Sequence, residues 1–275
     1  MNHNPLGRQT DYVSVYAPHL LFPIPRAESR ALLGLSETLP FYGVDIWTGY
    51  ELSWLDALGK PVVAIAEFFI PCTSEFIVES KSFKLYLNSL NQTRFADVAE
   101  VELLLAKDLA RITNADVRAI ITPLAASMRA GQHLAEIAEV EGELLDDLMV
   151  AVDTYHPAPE LLTTEDGIVD ECLVSHLLKT NCPVTGQPDW ASVVIRYKGN
   201  KIRRENLLRY IISFREHQDF HEHCVERIFS DIARICKPNE LIVYARYTRR
   251  GGLDINPFRS SNPKTKPELL RLIRQ

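Results

Sequence analysis

Cys182 and Asp189 stand seven residues apart in Asn-Cys-Pro-Val-Thr-Gly-Gln-Pro-Asp, a stretch whose Pro, Gly and Pro mark a loop. A loop thiol is a nucleophile when something stabilises its thiolate, and otherwise a small hydrophobe. Asp189, between Pro188 and Trp190, is either a turn residue at a strand entrance or a carboxyl raised by its apolar surroundings, holding a proton near neutral pH. His221 and Glu222 follow in Asp219-Phe220-His221-Glu222-His223-Cys224. Asp219 and Glu222 have the spacing of a capping box, which accounts for Glu222 structurally. His221 falls on the apolar stripe of Val225, Ile228, Ile232 and Ile235, as a core residue or as the wall of a pocket.

A second group lies upstream. Glu79-Ser80-Lys81-Ser82-Phe83-Lys84 joins a strand end to a helix start. Ser80 reads as the N-cap, and the free amides of the first turn with two lysines would hold an anion. The alternative is a capped helix with solvated lysines. Arg246, Arg249 and Arg250 before Gly251-Gly252 carry the same two readings. Zinc ligand types occur in Cys182, His221, His223 and Cys224, but His221 and His223 diverge on a helix and no CxxC pair exists, so no metal is expected. No GxGxxG or Walker A motif is present.

The elements that must position these groups follow from composition and periodicity. The chain has 275 residues, 46% hydrophobic and 24% charged, enough to bury a core without disulfides. Its net charge of -6 argues against a broad nucleic-acid surface. The polar start, the lack of a long apolar run and five scattered cysteines suggest a cytoplasmic protein. Strand patterns at 41–47, 62–70 and 75–79, helical patterns at 80–91 and 96–112, and a strand at 117–124 fill the first half. The second half repeats the order: strands at 167–178 and 190–199, helices at 204–214 and 220–236, and a strand at 240–248. Two modules are therefore expected, 1–153 and 154–275, each an α+β antiparallel sheet with helices on one face. Leu58-Gly59-Lys60-Pro61-Val62 resembles Thr185-Gly186-Gln187-Pro188-Asp189, which would align Cys182 with Leu55.

Taken together, these residues resemble the NADPH-dependent 7-cyano-7-deazaguanine reductases, the nitrile reductases of queuosine biosynthesis, in their long two-domain branch. Glu79 to Tyr86 is similar to the family signature, Cys182 with Asp189 to its nucleophile and proton donor, His221-Glu222 to its substrate pair, and Arg250-Gly251 to a cofactor contact. The resemblance implies two tandem tunnelling-fold modules, NADPH as cofactor, a homodimer, and a site formed between the modules. It implies substrate binding by Val78, Glu79, Ser80, His221 and Glu222, cofactor binding by Ser80, Lys81, Arg250 and Gly251, and catalysis by Cys182, Asp189 and His221. Neither nucleic acid nor membrane is an expected partner. Rival readings are a zinc cyclohydrolase on the same fold and a non-enzymatic purine-binding module. His221 and Cys224 share a helix face, which would also bring Cys224 toward Cys182 as a protective disulfide partner.

Overall fold

Period-two alternation is strongest in the second half, and it builds a long hairpin there. In a computed structural model, which describes residues 12–36, 38–125 and 137–275, β7 (Thr164–Asn181) pairs antiparallel with β8 (Pro188–Ile202). The polar segment 1–11 lies outside the described residues. On β8 the residues Asp189, Ala191, Val193, Ile195 and Tyr197 alternate onto one buried face.

The remaining strands are β1 (Pro23–Pro25), β2 (Tyr42–Leu55), β3 (Pro61–Pro71), β4 (Phe76–Val78), β5 (Arg118–Pro123), β6 (Glu143–Leu144), β9 (Glu240–Tyr247) and β10 (Leu253–Ser260). The helices are α1 (Arg26–Leu32), α2 (Ser80–Asn88), α3 (Val98–Thr113), α4 (Arg204–Ser213) and α5 (His221–Cys236). The protein is thus a mixed α+β structure with largely antiparallel pairing.

The chain divides into two compact units that are not consecutive halves split at 153/154. Unit 1 comprises 1–28, 45–136 and 249–255, and unit 2 comprises 29–44, 137–248 and 256–275. In unit 1 the strand order is β5-β3-β2-β10, beside a small antiparallel pair of β1 and β4. Its core gathers Trp47, Trp54, Phe68, Phe83, Tyr86, Leu105 and Leu109 around α2 and α3. Asp97 caps α3 by accepting from the Glu100 amide, and Asn114 ends it in the left-handed region. In unit 2 the order β10-β9-β8-β7 is antiparallel, with β6 added parallel to β7. Helix α5 packs on β9 through an apolar stripe that includes Val225, Ile228 and Ile232.

One local difference from the sequence reading bears on function. Residues 253–260 form a strand that hydrophobic alternation did not reveal, because polar Asp254, Asn256, Arg259 and Ser260 are all buried in it. The strand is entered through a tight hairpin in which the Arg250 amide bonds the Leu253 carbonyl. Gly251 and Gly252 sit there at φ +58° and +75°, as a two-residue turn of this hand requires.

Candidate active site

The turn 182–187 presents Cys182 at the end of the β7–β8 hairpin. The Cys182 amide donates to the Gln187 carbonyl at 2.8 Å, and the Gly186 amide donates back to the Cys182 carbonyl at 3.0 Å. The corresponding β2–β3 turn closes between the Asp56 amide and the Lys60 carbonyl, with Gly59 also at positive φ. Loop closure therefore matches Cys182 to Asp56, not to Leu55, because the second loop is one residue longer. The thiol is buried and in no disulfide.

Asp189 sits one residue into β8, opposite Thr180 of β7, and is buried. Its Oδ2 lies 3.3 Å from Nε2 of His221, the first residue of α5. The imidazole is stacked flat on the ring of Tyr247, with centroids 3.7 Å apart and planes parallel. Tyr247 closes β9 opposite Ala191, so ring and carboxylate rise from adjacent strands on one face. His221 Nδ1 and Thr180 Oγ1 are buried and make no hydrogen bond among the described residues. The Tyr247 hydroxyl faces Thr180 and Cys224 outside hydrogen-bond geometry, and burial pushes its ionisation well up.

The capping box is not formed. Helix α5 starts with Phe220 as N-cap, without a side-chain cap. Asp219 instead accepts from the Phe220 amide and from His223 Nδ1 at 3.0 Å, with His217 Nε2 at 3.7 Å. Burial alone would raise this carboxyl, but these hydrogen bonds outweigh it and hold the group well below the usual carboxylate range. Glu222 is buried in the first turn of α5. His217 and His221 have HxxxH spacing, but His217 precedes the helix and turns to Asp219. Among the described residues no three His, Cys, Asp or Glu side chains gather as metal ligands. Cys224 is fully buried, and burial pushes its thiol up, which weakens it as a partner for a disulfide.

In unit 1 the N-cap of α2 is Glu79, not Ser80. Its carboxylate accepts from the amides of Lys81 and Ser82, each at 2.7 Å. Two of the amides expected to be open to an anion are therefore taken. Burial pushes the Glu79 carboxyl up, against those hydrogen bonds and the charges of Lys84 and Lys81. Val78 is buried in β4 against Pro23. Gly251 lies against Lys84, whose chain is 3.3 Å from where a Cβ would stand. A cleft of about 170 Å³ beside them is lined by Glu51, Lys84, Asn88, Asn91 and both hairpin glycines. A larger cleft of about 520 Å³ in unit 2 is lined by Arg196, Tyr244 and Arg246 of the opposite sheet face and does not include Cys182. Sequence reasoning missed Tyr247 and Thr180. The parity of Leu241, Val243, Ala245 and Tyr247 on β9 was the available signal, but it marks only a core position.

A carboxyl and an imidazole 3.3 Å apart thus stand in one buried place, with the buried thiol of Cys182 in the turn that leads into the carboxyl's strand. Residues 12–121 match the family described as nitrile reductase, 7-cyano-7-deazaguanine-reductase N-term, and residues 188–266 match QueF-like protein. NADPH-dependent 7-cyano-7-deazaguanine reductases align over nearly the full chain. The one from Bordetella avium is 57% identical, covering 98% of each chain. Those from Dechloromonas aromatica and Chromobacterium violaceum are 54% identical, covering 99% of this chain and 95% and 97% of theirs. The chain belongs to the 7-cyano-7-deazaguanine reductase family. No helix among the described residues is long and apolar enough to cross a membrane.

Proposed function

We propose that this protein reduces the nitrile of 7-cyano-7-deazaguanine to the primary amine, 7-aminomethyl-7-deazaguanine, with NADPH, in queuosine biosynthesis. The observation that carries this reading is the contact of His221 with Asp189, at the start of the strand that follows the Cys182 turn, in a chain whose named relatives align end to end. In this reading Cys182 yields its thiol proton to the Asp189–His221 pair as its sulfur adds to the electrophilic nitrile carbon and forms a covalent thioimide. The nitrogen gains negative charge as the C–S bond forms, and Asp189 supplies its proton. His221 Nε2, 3.3 Å from Asp189, returns a proton to that carboxylate and so restores it. The family resemblance assigns Glu222 and Glu79 to the base, as acceptors for its N–H groups. The same resemblance assigns Val78 and Ser80 to the substrate.

The residues expected to hold NADPH fit a polyanion through side chains. Lys81 and Lys84 lie along α2, and the hairpin carrying Arg250 and Gly251 packs against Lys84. The free-amide anion site is not part of this fit, because Glu79 occupies it. When bound, the cofactor supplies hydride, two equivalents of NADPH giving the four electrons between nitrile and amine. Two tandem tunnelling-fold modules and a homodimer complete the proposal on the strength of the family resemblance. Intact-mass measurement after incubation with the nitrile base, without NADPH, tests it: a gain of one base mass is expected, absent in Cys182→Ala. No mass gain in the unsubstituted protein would remove the reading. A zinc-dependent hydrolase would instead show bound metal and no adduct.

A further inference from the structure

The ring of Tyr247 is held with unusual redundancy for the last residue of a strand. The β9–β10 ladder pairs Ile242–Tyr244 with Ser260–Phe258. Three residues further on, side-chain amides hold the backbone. The Tyr247 amide donates to Asn256 Oδ1 at 3.2 Å, and the Tyr247 carbonyl accepts from Gln275 Nε2 at 3.0 Å. Gln275 Nε2 also donates to Asn256 Oδ1 at 2.8 Å, which ties the two amides together. Gln275 Oε1 accepts from Arg246 Nε at 2.9 Å, so the clamp is anchored to the neighbouring residue of β9. All of these groups are buried. Across the ladder stands Ala191, whose small side chain leaves the space above it to the tyrosine ring.

What this apparatus fixes is the plane of His221. An imidazole on the first turn of a helix has free torsions, and its nitrogens sweep several ångströms as it turns. A parallel ring 3.7 Å below restricts it to one plane. In that plane Nε2 meets Asp189, and Nδ1 makes no hydrogen bond among the described residues.

We propose that Tyr247, clamped by Asn256 and Gln275, is a positioning residue that locks the His221 imidazole in the plane in which Nε2 serves Asp189 and Nδ1 remains for the substrate. This rests on the reductase reading for its kinetic consequence, though not for the stack itself. The stacking face of the ring, not its hydroxyl, carries the effect.

Kinetics and NMR on the full chain test it together. Tyr247→Phe keeps the ring and should retain kcat within about threefold. Tyr247→Leu should lose about 10- to 100-fold in kcat, the scale of a misplaced catalytic group, with the nitrile KM within a few-fold. It should still form the Cys182 adduct, which shows the pocket to be intact. Gln275→Ala, which leaves the ring in place but loosens its clamp, should lower kcat by several-fold with KM unchanged. It serves as the test if Tyr247→Leu does not fold. The carbon-bound imidazole protons of His221 should show an upfield ring-current displacement in the unsubstituted protein and in Tyr247→Phe, and lose it in Tyr247→Leu. Unchanged kcat in both Tyr247→Leu and Gln275→Ala, or an equal loss in Tyr247→Phe, would overturn the proposal. So would absence of the ring-current displacement in the unsubstituted protein. Loss of the reductase reading would show differently, as no adduct and no turnover with the displacement intact.

Discussion

Oδ2 of Asp189 lies 3.3 Å from Nε2 of His221, which joins the first residues of β8 to the first turn of α5 across a buried site. In the proposed reduction this contact is the path by which a proton passes between the two side chains.

Asp189→Asn preserves shape and can still hydrogen-bond His221, but it has no proton to give. We expect a loss of about 10²–10⁴-fold in the rate of NADPH oxidation, with the fold unchanged. Stopped-flow measurement at several pH values is the check, and near-normal rates would remove Asp189 from its role.

Cys182→Ala should abolish both adduct and turnover. The side chain is buried, so it also loses packing, but only one sulfur atom is removed, and the cost should stay near 1–2 kcal/mol. Chemical denaturation beside intact-mass analysis separates the two effects. Turnover by this variant would exclude the thioimide.

Glu79 makes stability depend on pH. Burial raises its carboxyl above the usual value of 4.5, so the folded state binds a proton more tightly than the unfolded chain. Its contribution is fully present below that value and is lost as pH rises through the folded value. Glu79→Gln should therefore be least favourable, relative to the unsubstituted protein, at acid pH and gain on it as pH rises. Urea denaturation midpoints compared from about pH 4 to 7 give the test. A gap that moves the other way would mean that the amide bonds from Lys81 and Ser82 outweigh desolvation.

Lys81→Ala and Glu222→Gln should separate the two subsites. The first should raise the KM for NADPH, and the second should weaken binding of the nitrile base by roughly 10-fold or more, since a buried charged acceptor is lost. Initial-rate kinetics with each substrate varied in turn will show the pattern, and its reversal would exchange the assignments.

Much of this protein was legible in the residues alone. The apolar run at 62–70 and the strand patterns at 190–199 and 240–248 marked β3, β8 and β9, and the helical stripes marked α2, α3 and α5, because burial leaves its mark on local residue order. The chemistry-bearing types, Cys182, Asp189, His221 and Glu222, were visible for the same local reason. Three things were decided only by tertiary structure. The N-cap of α2 passed from Ser80 to Glu79, because a longer carboxylate reached two amides that propensity assigned to a hydroxyl. The spacing of Asp219 and Glu222 gave no capping box, because Asp219 was drawn to His217 and His223. The approach of Asp189, His221 and Tyr247 depends on residues up to 58 positions apart converging on one sheet face. Periodicity assigns each residue to a face of its own element, and only packing decides which faces meet.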